Sequence, residues 1–276
     1  MEAIDAHQHF WKYRPEQYAW IGEHMQAIRR DFLPNDLEGS LRAAGIGGAV
    51  SVQARQSLEE TIRLLDLAEG HGFLRGVVGW VPLTEPAVSG VLDKLAGRAK
   101  LKGVRHILHD EPDDSYMLRP DFNAGVRLLA RCHLTYDILI FERHLPQTLR
   151  FVDQHPNQVF VLDHIAKPRI AAQVFSPWRE NMAALARREN VYCKLSGMVT
   201  EARWESWTPR DLQPYFETAI AAFGPRRLMF GSDWPVLLLG SSYGRWHATV
   251  TEAISGLSAS EREWIMGGAA AEAYRL

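Results

Sequence analysis

The sequence predicts a single-domain α/β protein folded as a (β/α)8 TIM barrel. Three observations predict it. Eight short apolar runs of strand character alternate with segments that carry helix-start signals. The 276 residues match the length at which one such barrel is usually built, and an apolar content of 46% can fill one large core. No G-x-G-x-x-G or G-x-x-x-x-G-K loop follows an early strand, which weighs against an open doubly wound sheet.

In chain order the strands read as residues 3–9, 48–54, 76–81, 103–108, 135–141, 159–165, 191–196 and 228–233. Residues 10–34 precede the first crossover helix and carry Trp11, Tyr13, Tyr18 and Trp20 among charged residues, so they read as a long first loop over the barrel mouth. Asn35 with Glu38 opens the first helix, which Gly45 and Gly47 end. Ser57 with Glu60 makes a capping box ahead of Leu58, Ile62, Leu65 and Ala68, which share one helical face. Ser176-Pro177 and Thr208-Pro209 each set an N-cap residue before a proline at the first helical position. Ser258 with Glu261 starts a final helix. Strands separated by helices are parallel and joined by right-handed crossovers. No repeat or linker divides the chain, so residues 1–276 read as one domain.

The formal charge of -2 gives no electrostatic reason to expect nucleic acid or an anionic membrane, so the expected partner is a small molecule. Cys132 and Cys193 make neither a disulfide framework nor a cysteine metal cluster, which fits a reducing interior. There is no basic leader with an apolar core, and no run approaches the ~20 apolar residues of a membrane span. The reading is a cytoplasmic protein, monomeric or homo-oligomeric, with no nucleic acid and no membrane partner.

His7 and His9 close the first strand, and because side chains alternate along a strand the two imidazoles point the same way. In a closed barrel the last strand lies beside the first, so Asp233 in G-S-D-W-P joins them in a metal-binding or water-activating site. Other strand ends deliver Gln53 and Arg55, Arg105 and His106, Asp137, Asp163 and His164, and Lys194 and Ser196. Polar groups are costly to bury without partners, and barrels of this kind carry their chemistry at these ends. Plainer roles stay open for several: an ion bridge between Lys194 and Asp137, rim salt bridges for Arg55 and Arg105, a structural role for His106, a loop cap for Gln53, and packing for Trp11 and Trp234. His24, His71, His109, His133, His144, His155 and His247 read as structural or solvated.

The runs I-D-A-H-Q-H, V-L-D-H-I-A-K-P, K-L-S-G and F-G-S-D-W-P, in this order and at these strand ends, resemble the amidohydrolase superfamily. The resemblance covers essentially the whole chain and is closest to the lactonase branch, whose substrates include L-fuconolactone, L-rhamnonolactone and, more distantly, 2-pyrone-4,6-dicarboxylate. It implies that His7 and His9 are the strand 1 pair, His164 the strand 6 histidine and Asp233 the strand 8 carboxylate. Arg105-His106 stands where binuclear members have a bridging carboxylated lysine or glutamate, and Asp137 stands in place of a histidine. The expectation is therefore at most one divalent ion, Zn2+ by preference, held by His7, His9 and Asp233 with His164 near. A metal-free site using the same residues as hydrogen-bond donors stays open, as the likeness to the dicarboxylate lactonase implies.

The expected reaction is hydrolysis of a sugar-acid lactone. Asp233 takes a proton from the attacking water, while His7, His9 and His164, or a metal they hold, stabilise the oxyanion. G-x-S-x-G is absent, so no serine nucleophile is needed. A sugar ring suits Gln53, Arg55, Arg105, His106 and Lys194 for hydrogen bonds and Trp11 or Trp234 for stacking. A pyrone dicarboxylate would use Arg55 and Arg105 as clamps. Two further functions are compatible with the same residues, a metal-dependent decarboxylase and a non-catalytic sugar-acid-binding barrel.

Overall fold

The computed structural model describes residues 1–276 as eight parallel strands in sequential order with helices between them, a nearly closed (β/α)8 barrel. The strands are β1 Ile4–Gln8, β2 Gly48–Val52, β3 Leu74–Gly79, β4 Leu101–Ile107, β5 Thr135–Leu139, β6 Phe160–Leu162, β7 Val191–Leu195 and β8 Leu228–Phe230. All eight coincide with runs read from the sequence, though β3 and β4 start two residues earlier and β6 and β8 are shorter.

Helix starts follow side-chain chemistry, with three corrections. The first crossover helix, Pro34–Ala43, begins with Pro34 at its first position. Asp36 rather than Glu38 reaches back to accept from Leu33 N, at 2.8 Å, so Asn35 lies inside the helix. Ahead of helix Trp178–Leu185, Pro177 is the cap and not the first helical residue. Arg179 N donates to Phe175 O at 2.8 Å, so a main-chain carbonyl does the work expected of the Ser176 side chain. Ser57, Thr208 and Ser258 do cap helices Leu58–Gly70, Pro209–Phe223 and Ala259–Glu263. Glu60 completes no box with Ser57. Its buried carboxylate accepts from Ala54 N and Arg55 N, both at 2.9 Å, and from Tyr18 Oη at 2.9 Å.

The apolar core has two parts. A cluster of 65 buried residues fills the layer between strands and outer helices, while a cluster of 12 includes Ile4, Ala6, Val50, Val52, Val78, Val161 and Met229. The smaller one is closed by Ala269, Ala270, Ala273 and Tyr274 of helix Ala269–Tyr274, which packs against β1 and β8. Ile4 and Ala6 face this cluster, yet His7 and His9 also turn inward; strict alternation would forbid that. The β1–β2 register shifts between Asp5 and Gln8, and such an irregularity re-aims the residues beyond it.

The barrel closes where β1 meets the end of β8. Gln8 and Trp234 form a parallel bridge, with Asp233 N donating to His7 O at 2.8 Å and His9 N donating to Trp234 O at 2.7 Å. Asp5 anchors the seam: its buried carboxylate accepts from His7 N at 3.2 Å, Ser232 N at 2.8 Å and Tyr243 Oη at 3.1 Å. Burial pushes its pKa up to about 6 against the pull of these donors. The segment 10–34 is tied by the antiparallel bridge Trp11↔Phe32, and it buries Phe10, Trp11, Tyr18, Ile21, Ile28 and Phe32. No helix is long and apolar enough to cross a membrane.

Asp5→Ala strands two buried amides and a phenol hydroxyl, so a loss of about 3 kcal/mol in unfolding free energy is expected. Urea titration followed by circular dichroism measures it, and a change within error would deny Asp5 this role.

Candidate active site

At the C-terminal mouth four buried side chains converge. Asp233 Oδ1 lies 3.3 Å from His9 Nε2, 3.7 Å from His7 Nε2 and 3.9 Å from His164 Nε2, and the two strand 1 imidazoles meet Nε2 to Nε2 at 3.1 Å. Each imidazole is oriented through its other nitrogen. His9 Nδ1 donates to Val52 O at 2.8 Å, which leaves His9 Nε2 a bare lone pair. His164 Nδ1 meets Ser196 Oγ at 2.8 Å. His7 Nδ1 lies 3.3 Å from Asp163 Oδ1 and 3.2 Å from Lys194 Nζ.

Two protonation states satisfy this geometry, and they differ in the position of one proton on His7. With the proton on Nε2, His7 donates to His9 and the cluster is a closed hydrogen-bond chain. With it on Nδ1, facing Asp163, the Nε2 lone pairs of His7 and His9 and the Asp233 carboxylate lie within 3.7 Å of one another. That second state is a donor set for a divalent ion: zinc–nitrogen bonds of about 2.0–2.1 Å put tetrahedral ligands about 3.3 Å apart, close to the spacings seen here. His7, His164 and Asp233 each offer an atom within 4.8 Å of the others. The residues fit one ion.

The electrostatics keep the cluster in working protonation states. Burial holds the His7 and His164 pKa values well below the ordinary imidazole range, so both rings are neutral. Burial alone would raise the Asp233 pKa, but His164, His9 and Lys167 outweigh it and hold it below the usual carboxylate value. Beneath His7, Lys194 Nζ pairs with Asp137 Oδ2 at 2.6 Å and Asp163 Oδ1 at 2.9 Å, and Arg105 Nη1 donates to Asp163 Oδ2 at 2.8 Å. Tyr274 Oη donates to Asp137 Oδ2 at 2.7 Å. Asp163 is held well below the ordinary range, because Lys194, His7 and Arg105 overcome its burial.

The backbone at the site is unusual. His164, Ile165, Ala166 and Lys167 form a left-handed run with φ of 53°, 47°, 61° and 46°, and Asp233 has φ 58°. L-residues pay about 1–2 kcal/mol each for such a helical conformation. Two glycines make the room required. A Cβ on Gly197, whose φ is +62°, would stand 2.5 Å from the His164 ring, and one on Gly231 would stand 2.8 Å from His7 Cβ. The glycines of K-L-S-G and F-G-S-D thus provide clearance for imidazoles.

A cavity of about 380 Å3 opens above the cluster, within the range of small-ligand sites. Of the residues expected at the site, His9, Arg105, His164 and Asp233 line it, with His7 directly below. The others are placed elsewhere, for physical reasons. Lys194 belongs to the buried ion network, which also takes up Asp137. Gln53 spends its amide on Arg105 O at 3.2 Å. His106 alternates outward from Arg105, bonds Glu111 at 2.6 Å and stacks on Tyr116. Arg55 sits 3.5 Å from Glu59, 3.9 Å from Glu60 and over the Tyr18 ring. Trp11 packs among Tyr18, Trp20 and Phe32, and Trp234 against Phe10 and Phe32.

The cavity walls come instead from residues that sequence reasoning passed over. Trp20 and Met25 reach in from the first loop, and Lys167, Glu201 and Trp204 from the segments after β6 and β7. His109 is a wall residue too, stacked on Phe141, with burial lowering its pKa to about 3. Lys167 had a signal, three residues past His164 in a recognised run, and so did Trp20, in the aromatic first loop; the others lie in loops or short helical turns without periodicity.

A parallel barrel with imidazoles and a carboxylate gathered at its C-terminal mouth defines the class, a barrel of the kind whose enzymes carry their reaction centres at that face. The chain belongs to the amidohydrolase family, whose profile matches residues 4–276. It is 42% identical over 284 residues to an L-fucono-1,5-lactonase of Burkholderia multivorans, covering 99% of this chain and 96% of that protein. An L-fucono-1,5-lactonase of Burkholderia ambifaria is 37% identical over 277 residues, covering 99% of this chain and 95% of that one. The crystal structure of an amidohydrolase from Burkholderia multivorans with bound Zn is 41% identical, with a TM-score of 0.97 over 100% of both chains.

Gly197→Ala should displace His164 and lower activity by at least about 10²-fold, the scale seen when one positioned catalytic group is lost. Turnover assays on folded protein check this, and parent-like rates would show that the ring has room to move.

Proposed function

We propose that the protein is a lactonase that opens a sugar-acid lactone, an aldonolactone such as L-fuconolactone or L-rhamnonolactone, by attack of an Asp233-activated water. The observation that carries this reading is the contact of the Asp233 carboxylate with three imidazole nitrogens on the floor of a ligand-sized cavity. The two L-fucono-1,5-lactonases among its relatives support the substrate class.

Asp233 is ionised at neutral pH and accepts a proton from water as the water oxygen bonds to the lactone carbonyl carbon. The oxyanion formed is stabilised by His164 Nε2–H, the tautomer present when Nδ1 accepts from Ser196 Oγ, with the Arg105 guanidinium on the same cavity wall. The ring carbon–oxygen bond then breaks, the proton on Asp233 passes to the leaving ring oxygen, and the product is an open-chain hydroxy acid. His7, His9, His164 and Asp233 would hold one divalent ion, Zn2+ by preference, which when bound supplies Lewis-acid polarisation of the carbonyl and a more acidic water.

A sugar lactone is favoured over a dicarboxylate. Of the two arginine clamps that a dicarboxylate would need, Arg55 is engaged with Glu59 and Glu60 outside the cavity, and Arg105 is already paired with Asp163. Proton release on mixing with a panel of aldonolactones and pyrone dicarboxylates tests the choice; release from dicarboxylates alone would reverse it.

Asp233→Asn should lower kcat by about 10²–10⁴-fold with the fold intact, because Asn tolerates a positive φ as well as Asp does. Near-parental turnover would remove Asp233 as the base. Elemental analysis of the purified protein should find one zinc per chain, and His9→Ala should lower that occupancy. Full occupancy in His9→Ala would exclude His9 as a ligand.

A further inference from the structure

Lys167 and Glu201 form an ion pair on the cavity wall that takes no direct part in bond breaking, although Lys167 helps keep Asp233 ionised. Lys167 is the last residue of the left-handed run, and Glu201 ends helix Met198–Glu201 beyond β7. Lys167 Nζ and Glu201 Oε1 are 2.7 Å apart, with side chains only 15% and 20% exposed. Glu201 is the sole protein hydrogen-bond partner of the ammonium, and Glu201 Oε2 has no protein donor. Both residues line the cavity that holds Asp233 and His164, and both also line an adjoining groove with Glu142, Arg143 and Arg169.

An ion pair taken this far from water adds little to stability by itself, because desolvation offsets the attraction. Holding Lys167 in a left-handed conformation adds strain, a feature that clusters at ligand clamps. What remains unexplained is a spare cationic donor and a spare anionic acceptor side by side, aimed at a site for a small molecule. A hydroxyl group both donates and accepts, so two neighbouring hydroxyls can satisfy both atoms at once. A carboxylate ligand would be repelled by Glu201. Trp20 and Trp204, also on the cavity wall, offer apolar faces to the ring carbons.

We propose that the Lys167–Glu201 pair binds adjacent hydroxyls of the lactone and makes the site selective for polyhydroxylated over bare ring lactones. The proposal rests on the lactonase reading. It assigns the pair no part in bond breaking, so it is a specificity element and not a catalytic one.

The test is the ratio of kcat/KM for L-fucono-1,5-lactone to kcat/KM for δ-valerolactone, a six-membered lactone without hydroxyls, in the parent, Lys167→Met and Glu201→Gln. The ratio should fall by about 10- to 100-fold in each variant, the range for loss of a hydrogen bond to a charged group. Melting temperature and zinc content serve as controls, and Glu201→Gln, which keeps the side-chain shape, carries the test if Lys167→Met does not fold. A ratio that stays at the parental value, whether both rates fall together or neither moves, overturns the proposal and leaves the lactonase reading standing. If the parent hydrolyses neither lactone, the lactonase reading falls first and takes the proposal with it.

Discussion

Closure between the first strand and the last is the constraint on which everything else in this barrel depends. Those two strands lie at opposite ends of the sequence, and no local preference brings them together. The seam consists of two main-chain hydrogen bonds and the Asp5 carboxylate, which draws on both sides of it. Because the register of the seam is set at Gln8 and Trp234, the acid at 233 is delivered beside the imidazoles at 7 and 9. A slip of one residue would turn a side chain to the other face of the sheet and dismantle the cluster.

Below the seam the barrel interior carries a charged layer beside the aliphatic one formed by Ile4, Val50, Val52, Val78 and Val161. Lys194 and Arg105 face Asp137 and Asp163. Burying any one of these alone would cost several kcal/mol, and the four are tolerable only as a mutually satisfied set. The set also has a direction. Asp163 and Lys194 both lie against His7, so the lower layer governs which His7 nitrogen carries the proton and therefore how the upper layer behaves. The structural ion bridge suggested for Lys194 and Asp137 is thus present, and it is continuous with the reaction centre.

Much of this was legible in the residues. All eight strands stood out because parallel strands buried on both faces are rich in apolar residues, and Ser57 and Ser258 marked the helices that their hydroxyls cap, whereas Ser242, which accepts from Arg245 N at 3.2 Å ahead of helix Tyr243–Ala253, sits in no recognised pattern. The cluster of His7, His9, His164 and Asp233 followed from spacing and resemblance together. The failures have physical causes as well. Asn35 and Glu38 lost their expected roles to Leu33 and Asp36, and Ser176 to a main-chain carbonyl, a competition that composition cannot decide. Strand alternation predicted the outward turn of His106 only once Arg105 was known to face inward. The left-handed run at 164–167 contains no glycine, so nothing in the letters announces it, and the wall residues Glu201 and Trp204 are placed by that turn and by loop packing.

The position of Tyr274 has a consequence for how the molecule comes into being. Its hydroxyl completes the partners of Asp137 in the barrel floor, and the helix that carries it packs against both β1 and β8. Without that helix Asp137 lacks its phenol partner, and without the residues after β8 the seam with β1 cannot form. Assembly of the mouth cluster therefore draws on segments far apart in the sequence, because β1, the end of β8 and this helix must all be in place before the barrel floor is neutralised.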